Sequence, residues 1–238
     1  MNILALDTAG KTAAVAVMQD DILRYETMSN TGLTHSETLL PMVDTALHAC
    51  NLTTDQIDLY AVTNGPGSFT GLRIGLAAVK GLAFANNTPC AGVSTLAALA
   101  WGVAGAGTVI GALDARRGQV YWAGFDLESH ERLTQDAAEP VQNMENFVNS
   151  CKKPLIFVGD GAALCYNKYG SVPGVLACPQ PHRVLRGAGT ALAGKALWES
   201  GGCVSPAALL PDYHRLSQAE RERAEREAAK KVESTPAL

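Results

Sequence analysis

The chain begins with short apolar runs separated by tight polar turns. The runs cover residues 3–6, 13–17 and 22–28, and the turns between them contain Gly10–Lys11 and Asp20–Asp21. Short apolar runs bounded by turn residues are typical of β-strands. We therefore predict three consecutive strands joined by tight turns.

The apolar pattern changes to a helical period at residue 34. Thr34 and Glu37 have the spacing of a capping box, in which each side chain bonds the other residue's backbone amide. Two adjacent apolar stripes follow, and together they predict a helix buried over a wide arc. The stripes are Leu40, Val43, Leu47 and Cys50, and beside them Leu39, Met42, Ala46 and Ala49.

Strands and helices then alternate along the chain. The apolar pattern predicts a strand at residues 58–63, a helix from the glycine-rich segment 64–75 to about residue 85, and further strands at 109–114, 119–125 and 154–158. An alanine-rich segment at 187–200 predicts another helix. Alternation of this kind indicates an α/β fold with mostly parallel sheets.

The segment from residue 81 to residue 113 has no charged side chain, and it is long enough to cross a bilayer. Pro89 and several glycines interrupt it, and much of the rest is alanine. A buried strand, helix and strand in sequence is therefore favoured over a membrane span.

Residues 3–17 and 109–125 look like two copies of one strand–turn–strand unit. In each copy an apolar run ends on an aspartate, Asp7 or Asp114, and a second strand follows. We expect a duplicated protein with domains at 1–104 and 105–238 and a hinge near 102–108.

The C-terminal segment differs in composition. Ser217 and Glu220 have capping-box spacing, and acidic and basic residues alternate through the i,i+4 pairs Glu222–Arg226 and Glu227–Lys231. This predicts a charged helix. A solvated surface helix is favoured over a docking element.

Composition narrows the class of protein. Of the 238 residues 47% are hydrophobic and 18% charged, which is typical of a folded globular chain. The net charge of -4 does not favour a protein whose binding depends mainly on contacts to phosphate groups. The six cysteines include no C-x-x-C pair, and the amino terminus has no basic region before Asp7. We expect reduced thiols, no signal peptide and a cytoplasmic location.

Asp7 and Asp114 are the first candidates for chemistry. Each follows a predicted strand, at the sheet edge where ligands of α/β proteins bind. Paired carboxylates there could orient Mg²⁺ and nucleotide phosphates. The adjoining turns hold one glycine each, which makes a poor phosphate cradle, and either aspartate could instead cap a turn.

The most constrained stretch is the eleven-residue run 65–75, GPGSFTGLRIG. It matches neither a P-loop nor a dinucleotide fingerprint. Ser68 or Thr70 can cap the following helix, whose amino terminus could accept an anion. The candidate nucleotide or anion contacts are Asp7, Ser68, Thr70, Arg73 and Asp114.

The same helix carries a stripe of mostly small residues. A stripe of this kind lets another helix approach closely. It could belong to a partner interface or to packing inside the monomer, and periodicity leaves both open. Its members are Gly71, Gly75, Ala78, Leu82 and Ala85.

No metal centre is predicted. His35 would need a second histidine one helical turn later, and position 39 is leucine. The other four histidines are isolated in the sequence, and no nucleophile has a neighbouring base.

These motifs resemble those of the TsaB (YeaZ) family, bacterial proteins needed to make threonylcarbamoyladenosine in tRNA. The resemblance covers most of the chain. A departure occurs near the end, where His214 replaces the leucine of the family's Pro-x-Tyr-Leu-Arg. The resemblance rests on residues 3–8, 34–41, 65–75, 92–96, 114–123 and 211–215.

The resemblance implies a duplicated actin-like, hexokinase-like (ASKHA) fold and a noncatalytic paralogue of TsaD, the threonylcarbamoyl transferase. TsaD carries His-x-x-x-His for its metal, and Leu39 breaks that motif here. The family pairs with TsaD through its first two helices, so a TsaD-like partner is implied. The resemblance also implies a TsaE-like ATPase as a third component and tRNA bound by the assembly. It also implies a possible homodimer of the chain alone, and no tight cofactor, leaving ATP or ADP to the complex. The implied interface residues are His35, Leu39, Met42, Gly71, Gly75, Ala78 and Leu82.

Two other functions fit these residues less well. An ASKHA-type small-molecule kinase or ATPase would use Asp7 as its Mg²⁺-associated carboxylate, and the glycine-poor turns argue against it. A kinase should bind ATP at micromolar levels on its own, whereas a scaffold should not. A metal-dependent peptidase fails on the absent second histidine.

Overall fold

The computed structural model describes residues 1–214, and the predicted charged helix lies outside them. The first five strands form one sheet in the order β3-β2-β1-β4-β5. β1 pairs antiparallel with β2 and parallel with β4. The strands are β1 (Asn2–Asp7), β2 (Ala13–Gln19), β3 (Ile22–Ser29), β4 (Leu59–Gly65) and β5 (Cys90–Ser94).

The last five strands repeat this arrangement in a second sheet, whose order is β10-β9-β6-β7-β8. β6 pairs antiparallel with β7 and parallel with β9, as β1 does with β2 and β4. The predicted duplication and the ASKHA-type fold of two mixed sheets are therefore confirmed. The strands are β6 (Thr108–Arg116), β7 (Gln119–Asp126), β8 (Ala137–Pro140), β9 (Leu155–Val158) and β10 (Val175–Leu176).

The six α-helices of the described chain form three layers, one on the outer face of each sheet and one between the sheets. α1 and α2 pack on the outer face of the first sheet, and α4 and α5 on the outer face of the second. α3 and α6 lie between the sheets, in a core to which both contribute. The helices are α1 (His35–Ala49), α2 (Phe69–Phe84), α3 (Thr95–Trp101), α4 (Glu145–Ser150), α5 (Ala162–Tyr169) and α6 (Gly187–Glu199).

Helix α6 follows the second sheet in sequence but packs on the first. A Cβ at Gly194 would lie 2.5 Å from the Ala61 Cβ in β4, so glycine permits the close approach. Strands β1 to β5 precede the predicted boundary at 104/105, and β6 to β10 follow it. The chain after residue 186 lies beyond that boundary, yet its helix α6 packs on the first sheet.

The uncharged segment is the predicted strand, helix and strand, β5, α3 and β6. α3 is only seven residues long. No helix within residues 1–214 is long and apolar enough to span a membrane. The lack of charge reflects burial between the sheets.

The sequence pattern did not reveal β8, α4, α5 or β10. These elements contain two to eight residues each. Elements of this length complete too few periods to be distinguished from loops.

The stripe of small residues on α2 faces the interior at its amino-terminal end. A Cβ at Gly71 would lie 2.1 Å from the Thr8 carbonyl oxygen, and one at Gly75 would lie 2.4 Å from the Thr8 Oγ1. Both glycines are buried. Assigning Gly71 and Gly75 to a partner interface was therefore wrong, because the end of β1 occupies that space.

Two glycines on α2 provide a matched test of this packing. The Thr8 hydroxyl beside Gly75 donates to the Gly71 carbonyl at 2.8 Å, so it cannot easily move aside. We expect Gly75→Ala to lower the free energy of unfolding by ~1–3 kcal/mol through overpacking. Gly81 has nothing within 4 Å of an added Cβ, and Gly81→Ala should raise it by ~0.5–1 kcal/mol. Urea denaturation of both variants measures the difference, and equal effects would contradict the packing.

Candidate functional site

A cleft lies between the sheets, at the carboxyl ends of β1 and β6. It encloses about 390 Å³ and adjoins a second cavity of about 280 Å³ that shares Gly10, Lys11, Leu113 and Asp160 with it. The charged, polar and aromatic residues of its lining are Lys11, Ser68, Phe69, Asp114, Arg116, Tyr121, Asp160, Asp212, Tyr213 and His214.

Asp7 is sealed beneath this cleft. Its side chain is fully buried, and Oδ1 accepts hydrogen bonds from the Thr63 hydroxyl at 2.6 Å and from the Ala9 amide at 3.2 Å. Oδ2 has no hydrogen-bond partner. Burial raises the pKa of Asp7 from 3.8 to about 6, although the two hydrogen bonds and His35 oppose the rise. Asp7 is not in the lining, so it does not serve as the nucleotide contact that the sequence suggested.

Asp114, its counterpart in the repeat, does reach the cleft. Its Oδ1 accepts the Arg116 amide at 2.7 Å, and its Oδ2 lies 3.6 Å from the Arg116 guanidinium. The amide of Asp114 donates to Asp160 Oδ1 at 2.9 Å. The two copies of the motif therefore place their aspartates in different environments.

The amino terminus of α2 presents one of its predicted contacts to the cleft. Ser68 lines the cleft, and its hydroxyl accepts the Gly71 amide at 3.2 Å, so Ser68 is the helix cap. Thr70 is exposed and is not among the lining residues. Arg73 donates from Nε to the Tyr213 hydroxyl at 2.9 Å and stacks over Phe69, so its role as an anion contact is not supported.

Several residues that line the cleft were not predicted from the sequence. Asp160 follows β9 in a Gly-Asp-Gly turn, and like Asp7 and Asp114 it stands at the carboxyl end of a strand, a signal that could have revealed it. Lys11 was noted only as part of a turn. Asp212, Tyr213 and His214 join the cleft from the far end of the chain, and local sequence carries no sign of this.

His35 and Leu39 are packing residues at the start of α1. The His35 Nε2 bonds the Gly10 carbonyl at 2.9 Å, and Leu39 is only 1% exposed in the core under α1 and α2. The assignment of Leu39 to a partner interface was therefore wrong. Within residues 1–214, no three His, Cys, Asp or Glu side chains are grouped to hold a metal ion.

The outer surface of α1 and α2 exposes apolar groups to solvent. Leu40 is 53% exposed and Phe84 is 76% exposed. We call this surface the outer face. Met42, Ala78 and Leu82 are half-buried and pack against the core under α1 and α2. The exposed α2 stripe of the outer face, which is offset from the predicted one by one or two residues, is Thr70, Arg73, Ala77, Gly81 and Phe84.

Burial of Asp7 predicts a pH-dependent penalty on stability. The pKa of Asp7 is about 6 in the folded chain and 3.8 when the carboxyl is free. The folded state therefore loses stability relative to the unfolded state as the pH rises from about 4 to 6. The shift corresponds to ~3 kcal/mol. We expect the stability of Asp7→Asn relative to the natural chain to rise by ~2 kcal/mol between pH 4 and pH 7, because the carboxyl of the unfolded chain is already half ionised at pH 4. Chemical denaturation at both values measures it, and a constant difference would show that Asp7 ionises freely.

Known proteins resemble this chain in sequence. A family model described as TsaD, tRNA N6-adenosine threonylcarbamoyltransferase, matches residues 29–168, more than half of the chain. The tRNA threonylcarbamoyladenosine biosynthesis protein TsaB of Escherichia coli is 38% identical over 55% of this chain and 57% of its own length. The protein of the same description from Bacillus subtilis is 29% identical over 92% of this chain and 96% of its own length.

Solved structures agree. The protein described as YeaZ from Pseudomonas aeruginosa has a TM-score of 0.72 and 27% identity over 89% of this chain and 99% of its own. Another P. aeruginosa structure, of an uncharacterized protein with similarity to peptidase YeaZ, has a TM-score of 0.76 and 28% identity over 90% and 99%. Together with the duplicated fold and the quoted motifs, these similarities show that the chain belongs to the TsaB (YeaZ) family of tRNA threonylcarbamoyladenosine biosynthesis proteins.

Proposed function

We propose that the chain is a noncatalytic subunit that binds and activates a TsaD-like transferase, through the outer face of α1 and α2. The observation that carries this proposal is the exposed α2 stripe. Small Ala77 and Gly81 stand between Arg73 and Phe84, so a partner helix could approach the backbone closely while Phe84 enters an apolar pocket.

The residues at the catalytic positions of the relative support a noncatalytic role. TsaD uses two histidines one helical turn apart. Here the first, His35, bonds the Gly10 carbonyl, and the second is Leu39, which fills the core. The kinase alternative is weakened as well, because Asp7 is enclosed by Thr63 and Ala9 and does not line the cleft.

The remaining assignments follow from the same proposal. A TsaE-like ATPase would join the complex, and tRNA would be engaged by the assembly. The chain would act in the cytoplasm, where tRNA is modified. ATP or ADP would enter with the assembled complex, and the outer face would allow a homodimer when the transferase is absent.

Ala77→Arg tests the outer face. Ala77 is exposed, so an arginine there should leave folding intact, whereas half-buried Ala78 would mix folding with binding. Burying an unpaired cation against a partner costs several kcal/mol. A loss of ~4 kcal/mol weakens binding roughly a thousandfold. Calorimetric titration with the TsaD-like protein of the same organism measures it.

Asn167→Arg is the matched control, since Asn167 is an exposed helical residue on α5, outside the second sheet. We expect it to bind with normal affinity. Both variants should melt within a few degrees of the natural chain. Normal affinity of Ala77→Arg would place the interface elsewhere.

A second experiment tests the noncatalytic role. We expect the purified chain, incubated with tRNA and threonylcarbamoyl-adenylate, to yield no modified nucleoside until a TsaD-like subunit is added. Mass spectrometry of digested tRNA detects the product. Modification by the chain alone would overturn the proposal.

A further inference from the structure

The second cavity, of about 280 Å³, adjoins the cleft and shares part of its lining. We call it the side cavity. One wall is the turn between β1 and β2, with Lys11 and Thr12, and another is the segment before α6, with Arg183 and Leu185. Its lining residues lie outside the outer face. Binding in the side cavity is therefore a separate property from pairing through α1 and α2.

The wall that carries Arg183 is fixed by backbone contacts. The amide of Gly159, just after β9, donates to the Arg183 carbonyl at 2.6 Å. A Cβ at Gly159 would lie 2.1 Å from the Ala112 carbonyl oxygen, and the φ of +97° also favours glycine. Leu185, only 3% exposed, anchors the same segment in the core. The Arg183 side chain is therefore not needed to hold this wall in place.

Lys11 and Arg183 are the cations of the side cavity. Within residues 1–214 neither side chain makes a hydrogen bond or an ion pair, although Asp160 lines the same cavity. Arg183 is half-buried, so it loses part of its hydration and no described side chain replaces it. Two cations and one carboxylate leave a net charge of +1, which one negative charge on a ligand would balance.

Thr12 independently indicates a ligand. It is only 6% exposed and lines the side cavity, and its hydroxyl has no hydrogen-bond partner in the part of the chain that the structure describes. Buried polar groups nearly always have such a partner. Asn30 and Gln180 also belong to the lining. The side cavity thus gathers a hydroxyl and two amide side chains around its two unpaired cations.

The rest of the lining is apolar. Leu113 is 5% exposed and Leu185 is 3% exposed, and Val184 lies beside them. A cavity with an apolar floor and a few convergent polar groups is the usual form of a small-molecule site. The ligand that fits it has a carbon skeleton as well as a charged group.

We propose that the side cavity binds a small organic monocarboxylate. The guanidinium of Arg183 suits a carboxylate because the two groups can form a pair of parallel hydrogen bonds, and Lys11 adds a second cation. Polar groups of the ligand bond Thr12, and its carbon skeleton lies on Leu113 and Leu185. Inorganic phosphate fits less well, since it has no apolar part and carries up to two negative charges.

A matched pair of ligands tests the proposal on the isolated chain. The probe is β-hydroxybutyrate, which joins a carboxylate, a hydroxyl and a short carbon chain, and β-hydroxybutyramide is its neutral analogue of the same size. We expect the carboxylate to bind at least about tenfold more tightly, because a charged partner strengthens hydrogen bonds by about that factor. Titration followed by NMR of the backbone amides measures both affinities.

The same spectra locate the ligand. Amide shifts should change at Asn30 and Val184, which line only the side cavity, and not at Ser68 or Tyr213, which line only the cleft. Changes confined to Ser68 and Tyr213 would place the ligand in the cleft and overturn the assignment.

Three variants complete the test. Arg183→Gln should weaken binding about tenfold, and Thr12→Val, which keeps the shape without the hydroxyl, about fivefold. Lys168→Gln removes an exposed cation of α5 outside the side cavity and should bind normally. Thermal melting establishes that each variant is folded.

Four outcomes would contradict the proposal. They are no saturable binding of β-hydroxybutyrate, equal affinities for the carboxylate and the amide, unchanged affinity in a folded Arg183→Gln, and phosphate bound as tightly as the carboxylate. The ligand comparison uses the natural chain, so it remains decisive if a variant fails to fold. No transferase is present, so the result does not depend on the pairing proposed above.

Discussion

The shared layer of α3 and α6 between the two sheets is the constraint on which the rest of the structure depends. Each sheet has helices on its outer face, and the inner faces share one core with α3 and α6. α6 packs on the first sheet, because Gly187 and Gly194 admit its backbone against β2 and β4, and α3 beside it packs on β6 and β7. Both sheets therefore contribute to one core between them.

This arrangement explains why the two aspartates of the repeat have different roles. At the end of β1, the glycines of α2 bring that helix close to Thr8, and the neighbouring Asp7 is fully buried. At the end of β6, Asp114 lines the cleft. Burial of a carboxylate with one unpartnered oxygen opposes folding at neutral pH, and the surrounding packing offsets that cost.

Different parts of α2 face different surroundings. Ala77, Gly81 and Phe84 are exposed on the outer face, while Phe69 and Arg73 at its amino-terminal end contact Tyr213. Arg73 belongs to both regions, because it is exposed on the outer face and bonds Tyr213. A partner that contacts Arg73 would therefore touch the residue that positions one wall of the cleft.

Periodicity and turn chemistry in the sequence determined the long strands, α1, α2 and the duplication, and quoted motifs identified the family. The tertiary structure decided which stripe of α2 faces inward, because Gly71 and Gly75 are small enough to suit either a partner or Thr8, and only the position of β1 selects between them. It likewise decided the depth of Asp7 and the meeting of Lys11 with Arg183 in the side cavity. Contacts between residues so far apart in the chain depend on how the layers stack, which no local pattern encodes.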